Sequence, residues 1–256
     1  DFVQQSYDAV ERIREETEGI AVLIGAPARN PIPEGKDLFN AAFLLHDKKL
    51  EAEIHKTLLP NYDIFDEYRY FEPSDKWQVI PFKGHRLAIT ICEDIWNMGD
   101  NPLYRITPME ELIQQSPDIM INLSASPYNY AQDVVRNSLV RAHTIKYGMP
   151  MFYCNTVGSQ TEVVFDGGSL VYDAEGKMVA ELKYFEEDYR VVDLKNMVLK
   201  PREGFVAEEK PVYFSAMDVG SGEDIISYLT HPKNIEEIYQ ALIVGIRDYF
   251  SKMGFT

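Results

Sequence analysis

Apolar residues recur at three- and four-residue spacing through Phe2, Val3, Tyr7, Val10 and Ile13, which predicts an opening helix ended by Gly19. IAVLIGAP (20–27) follows as an unbroken apolar run closed by Pro27, the pattern of a strand buried on both faces. A Pro/Gly loop (27–37) leads to LFNAAFLL (38–45), the turn HDKK and LEAEIHK (50–56), which read as a hairpin. Alternation along the second of these strands sets Leu50, Ala52, Ile54 and Lys56 on one face and Glu51, Glu53 and His55 on the other. Lys56 therefore points to the apolar side.

WQVIPF (77–82), the Lys83-Gly84 turn and RLAITIC (86–92) predict another strand pair, with Cys92 at the end of its second strand. A helix is expected from Pro108 to Gln115, a strand over DIMINL (118–123) and a helix from Gln132 to Tyr147 stopped by Gly148. PMFYCNTV (150–157) reads as a central strand. GGSLVYD (167–173) and KMVAEL (177–182) flank the turn DAEG, and YRVVDL (189–194) reads as one more strand. Residues 196–230 lose periodicity and gather Pro, Gly and acidic residues, the mark of a linker. IYQALIVGIRDYF (238–250) is amphipathic, with Ile235, Ile238, Leu242, Ile246 and Tyr249 on a stripe that needs a partner. Strands alternating with helices indicate the α/β class. The lack of an initiating Met and of a leading strand is read as the sign of a fragment.

Charge narrows the function. Twenty-five basic residues against 41 acidic ones leave a formal charge of −16 over 256 residues, which repels phosphate backbones and anionic lipid and excludes a nucleic-acid or membrane-surface role. No apolar run approaches the roughly 20 residues that span a bilayer, and the N-terminus lacks the order of a signal peptide. Two cysteines in unlike surroundings make no disulfide framework, so a reducing, cytoplasmic setting is expected.

Cys92, in ITICEDIW (89–96), ends an apolar strand and enters a polar turn, where ligands of α/β sheets bind. A thiol exposed there beside a cation is a nucleophile for acyl compounds; a buried structural cysteine is the competing reading. Cys154, mid-strand between Tyr153 and Asn155, belongs to that structural class. His85 lies at the far end of the same strand, roughly 23 Å from Cys92 at 3.3 Å per residue, and cannot act as its base. His143, on a helix, reads as a packing or surface residue. The five His and two Cys show no zinc-ligand spacing, and no metal is expected. An inward Lys56 costs several kcal/mol unless paired or functional, although a lysine at a strand end also snorkels out. Glu67, among Asp63, Asp66 and Arg69, reads alone as part of a solvated charged loop.

Taken together, Lys56 in K-x-x-LP-x-Y, Cys92 in C-E-D-I-W and NLSASPY (122–128) resemble the nitrilase or carbon–nitrogen hydrolase superfamily. More narrowly, C-E-D-I-W, YDIFDEYRYF and S-A-S-P-Y resemble the glutamine-amidotransferase domain of glutamine-dependent NAD⁺ synthetases over about residues 20–195. The last helix resembles the segment leading into their synthetase domain. The resemblance implies a four-layer α-β-β-α sandwich over residues 1–195, a linker (196–230) and a helix (231–256) directed to an absent ATP-dependent domain. It makes Cys92 the nucleophile on the glutamine side-chain amide, gives Lys56 and the backbone N–H of Glu93 the oxyanion, and makes Glu67 the acidic residue that supports the lysine. Tyr62 and Ser126 match positions that contact glutamine.

Two features depart from the family. Its general-base Glu lies upstream of the helix with which this chain begins, and no residue here matches it; proton transfer of that kind is typically worth roughly 10²- to 10⁴-fold. Gln132 stands where relatives carry Lys or Arg, and Arg136, one helical turn on, is the candidate to take the substrate carboxylate in its place. The implied whole is a glutaminase that releases ammonia for amidation of deamido-NAD⁺. No cofactor is expected in this chain, ATP and Mg²⁺ belong to the synthetase domain, and a homo-oligomer follows by family analogy. A stand-alone amidase or carbamoylase of the same superfamily and a non-catalytic interaction module are the alternatives.

Overall fold

The computed structural model describes residues 2–98, 103–215, 219, 226 and 230–255. Two compact units divide the chain, Asp1–Pro117 and Asp118–Thr256, a boundary inside the stretch that the sequence treats as one domain. Of the expected linker, residues 216–218, 220–225 and 227–229 lie outside the described residues.

In the first unit, α1 (Phe2–Glu15) ends four residues before the expected Gly19 stop. Strands β1 (Ala21–Arg29), β2 (Leu38–His46) and β3 (Lys49–His55) form an antiparallel sheet in the order β1-β2-β3. The tight turn between β2 and β3 places Asp47 and Lys48 at φ +47° and +62°, the left-handed pair that a two-residue hairpin needs. Val10 of α1 packs on Ala28, Ala41, Phe43 and Leu45, with Ile13, Val22 and Ile24 around them. The strand buried on both faces is therefore β2, whose Ala41–Leu45 run is buried throughout, and not β1 as its apolar run suggests. An apolar run reports hydrophobicity but not place in the sheet, and β1, with Pro27 and only β2 beside it in this sheet, is an edge strand. β4 (Ile80–Phe82) and β5 (His85–Ile91) pair antiparallel through Lys83 and Gly84, both at positive φ, and α2 (Pro108–Ile113) starts on a proline. β4 is half as long as expected.

In the second unit, β6 (Ile119–Ser124) runs parallel to β7 (Met151–Asn155), and β10 (Leu170–Tyr172) and β11 (Met178–Glu181) extend that sheet antiparallel beyond β7. α3 spans Gln132–Tyr147 as expected, with Gly148 at φ +61° as its C-terminal stop. A hairpin unforeseen in the sequence, β8 (Val157–Gln160) with β9 (Val163–Asp166), follows β7. The expected strand over 189–194 is absent, and Val191 is 86 % exposed there. The C-terminal α4 (Pro232–Met253) is longer than predicted and packs through Ala241 and Val244 against Phe185, Tyr128 and Val164. Its apolar stripe of Ile235, Ile238, Leu242, Ile246 and Tyr249 is exposed. Among the described residues, no helix is long and apolar enough to cross a membrane.

Candidate active site

Lys56 follows the last residue of β3, and both sides of its peptide are held. Its N–H donates to the Asn40 carbonyl at 2.8 Å, and its carbonyl accepts from the Ser74 N–H at 2.9 Å. The side chain is 0 % exposed. Its ammonium donates to both carboxylate oxygens of Glu67 at 2.8 Å, and Asn40 Nδ2 supports Glu67 Oε2 at 3.2 Å. Glu67 opens a short 3₁₀ turn whose N–H is fixed by the Pro60 carbonyl at 3.1 Å. The predicted inward face of Lys56 is thus found, although Leu50 on the same face is exposed. Glu67 is the paired carboxylate beneath the lysine and not a solvated loop residue.

Cys92 follows the last residue of β5 and begins a 3₁₀ turn, Cys92–Ile95, in which all four residues are buried. Its backbone sits at φ +43°, a left-handed conformation that costs a non-glycine residue about 1–3 kcal/mol and persists only where the surroundings enforce it. Cys92 is 9 % exposed, while Cys154 is exposed. This reverses the exposures expected from sequence, because the turn after β5 folds inward and Cys154 sits on the open side of β7. Burial works against the Lys56 ammonium, but the Cys92 and Glu67 charges together outweigh it and raise the Lys56 pKa. A lysine that stays charged beside a thiol favours the thiolate.

Two carboxylates within the same turn went unread in the sequence as side chains. Glu93 is buried and accepts from the Tyr62 hydroxyl at 2.7 Å and the Tyr104 hydroxyl at 3.1 Å. Burial lifts its pKa, partly countered by the Tyr62 hydrogen bond and by Lys56, while burial and Glu93 push both tyrosine pKa values up. Asp94 is buried and accepts from three backbone N–H groups: Thr57 at 3.0 Å, Leu58 at 2.9 Å and Ile91 at 3.0 Å. Burial pushes its pKa up to about 6, against the pull of those N–H groups and of Lys56. The signal was available, since C-E-D-I-W sets two acids inside an apolar frame.

The first unit therefore brings Lys56, Glu67, Tyr62 and Cys92 into one cluster. Ser126, Gln132 and Arg136 belong to the second unit. Ser126 is buried, and its N–H donates to Asn155 Oδ1 at 2.9 Å. Gln132 opens α3 after Ala131, which is left-handed at φ +56°. Arg136 lies in a buried ion pair. Its Nη2 donates to Asp166 Oδ2, and the two side chains are 1 % and 2 % exposed. Burial works against the Arg136 charge, but Asp166 outweighs it and raises the pKa. That pair ties α3 to the end of β9, while Arg136 Nε and Nη1 are buried without a hydrogen-bond partner among the described residues.

The carbon–nitrogen hydrolase profile matches residues 14–200. The chain is 32 % identical over 269 residues to the glutamine-dependent NAD(+) synthetase of Synechocystis sp., covering 100 % of this chain and 43 % of that protein. It is 34 % identical to the enzyme of that name from Thermotoga maritima, covering 99 % of this chain and 44 % of that one. It spans less than half the length of these curated relatives. Among solved structures, the glutamine-dependent NAD+ synthetase of Acinetobacter baumannii in complex with ADP superposes with a TM-score of 0.75 at 25 % identity, over 99 % of this chain and 42 % of that one. An amidase of the nitrilase superfamily from Nesterenkonia shares the α/β fold at a TM-score of 0.58 and 22 % identity, over 71 % of this chain and 64 % of that one.

Proposed function

The chain belongs to the carbon–nitrogen hydrolase family, and from that premise we propose that it hydrolyses the side-chain amide of glutamine through a thioester on Cys92. The observation that carries this reading is a fully buried, glutamate-held Lys56 whose charge couples to a thiol on a strained strand-end turn. The Cys92 sulfur attacks the amide carbon, a C–S bond forms, and the carbonyl electrons move onto oxygen. Lys56 and the Glu93 backbone N–H hold that oxyanion, and Glu67 keeps Lys56 charged and aimed. Collapse breaks the C–N bond, and the nitrogen leaves as ammonia with the proton that the thiol gave up. Water then cleaves the glutamyl thioester to glutamate and restores the thiol.

In this proposal Tyr62, Ser126 and Gln132 contact glutamine, while Arg136 supports α3. Residues 1–195 are the glutaminase part, 196–230 a linker and 231–256 a helix toward a synthetase domain that uses the ammonia to amidate deamido-NAD⁺. ATP and Mg²⁺ are assigned to that domain, and the assembly to a homo-oligomer in the cytoplasm, where a reducing environment keeps Cys92 a thiol. Glutamate release by the full-length protein tests the reading. Cys92→Ala abolishes it and Cys154→Ala leaves it within about twofold; equal losses overturn the assignment.

A further inference from the structure

Lys56 follows a strand of one sheet and Cys92 follows a strand of another, so their separation is not set by a hydrogen-bonded ladder between β3 and β5. A buried side chain links the two strand ends. The Asp94 carboxylate accepts at Oδ1 from the N–H groups of Thr57 and Leu58, at 3.0 and 2.9 Å, immediately after Lys56. It accepts at Oδ2 from the N–H of Ile91, at 3.0 Å, immediately before Cys92. Each oxygen thus serves one strand end, and the carboxylate plane fixes the distance between them. The segment after Lys56 is braced further by Trp77 Nε1, which donates to Thr57 Oγ1 at 3.0 Å. Asp94 is itself buried in the turn that carries Cys92, so the clamp and the nucleophile move as one piece.

Resting on the reading of Cys92 as nucleophile and Lys56 as oxyanion cation, we propose that Asp94 is the positioning residue that sets the Lys56-to-Cys92 geometry without touching substrate. An asparagine has one oxygen where the carboxylate has two. It can serve Thr57 and Leu58, or Ile91, but its NH₂ then faces the remaining N–H donor and pushes that strand end away. Displacements of about 1 Å at a reacting centre cost about 100-fold in rate. Glutamine binding, supplied by other side chains, is not affected.

Steady-state glutamine hydrolysis by full-length Asp94→Asn, beside Cys92→Ala and wild type, tests this, with circular dichroism melting as the check on folding. The expected result is a kcat lower by about 100-fold, a KM within about threefold of wild type and a retained cooperative melt. A kcat within about threefold of wild type, with Cys92→Ala inactive, overturns the role of Asp94 and leaves the assigned function standing. A KM raised as far as kcat is lowered also overturns it, since the pocket has then collapsed as a whole. An active Cys92→Ala overturns the assigned function and this proposal together. If Asp94→Asn does not fold, Asp94→Glu, which keeps both oxygens one methylene further out, is measured for the same kcat-specific loss. Failure of both variants to fold makes Asp94 a requirement of folding and overturns a separable positioning role.

Discussion

Two ion pairs in which the cation is fully buried are built to different ends. Arg136 and Asp166, in the second unit, are sealed on both sides, at 1 % and 2 % exposure. Lys56 is as buried as Arg136, but its partner Glu67 keeps 22 % of its side chain exposed and accepts a further hydrogen bond from Asn40 Nδ2. A sealed pair has no surface on which to act and can only hold elements together. A pair open at its carboxylate end, with a thiol's charge acting on its ammonium, can hold charge where a reaction develops it. Burial of a cation therefore does not distinguish chemistry from structure; what surrounds the other end of the pair does.

The largest expected effect on the comparison comes from exchanging each cation for methionine. Lys56→Met lowers kcat for glutamine hydrolysis by about 10³-fold, as expected for loss of an oxyanion donor, with a melt close to wild type. Arg136→Met strands the Asp166 carboxylate and destabilises the fold by about 3–5 kcal/mol, read by chemical denaturation. Replacing both Arg136 and Asp166 with apolar residues restores most of that stability. Activity lost with Arg136→Met at full stability, or stability lost with Lys56→Met at full activity, breaks the distinction.

A pH series sharpens it. Asp94 titrates at about 6 in the fold against 3.8 for an ordinary aspartate, so the folded state binds more protons than the unfolded one between these values. Stability from this group therefore falls as pH rises through that window, and the cost of ionising it is fully present above about pH 6. Melts of wild type against Asp94→Asn, taken from pH 4 to 7, show the wild type gaining relative stability toward the acid end. Parallel curves contradict the assignment of that titration to Asp94.

Smaller effects lie further from the thiol. Tyr62→Phe removes the 2.7 Å hydrogen bond to Glu93 but leaves Tyr104 in place. It raises KM for glutamine by roughly three- to tenfold with little change in kcat. Lys233→Ala breaks the exposed pair between α4 and Asp133, at 2.7 Å, and changes stability by less than about 1 kcal/mol. An effect on KM larger than that of Tyr62→Phe contradicts the ranking.

The sequence carried α3 to the residue because an apolar period and a glycine stop agree there. It missed the β8–β9 hairpin because Thr161, at φ +52°, takes the turn without the Gly or Asn that usually marks one. It assigned a strand to YRVVDL because β-branched residues fit a pleat, but a strand needs a partner edge and residues 189–193 have none among the described residues. In the site, alternation alone turned Lys56 inward, and the strand end placed Cys92. Glu67 lies eleven positions from Lys56 on a separate turn, where only tertiary structure joins them. The burial of Cys92 and the exposure of Cys154 were equally beyond a pattern that reports hydrophobicity along the chain but not which side of a strand is covered.

Those two cysteines offer the most direct test of the central claim. A chloroketone analogue of glutamine, added to the full-length protein, is followed by intact mass and by peptide mapping, with and without competing glutamine. Accessibility favours the exposed Cys154, whereas the proposed chemistry requires the buried Cys92. The account predicts one adduct, on Cys92, suppressed by glutamine and slowed in Lys56→Met. An adduct on Cys154, or labelling of Cys92 that glutamine does not suppress, contradicts it.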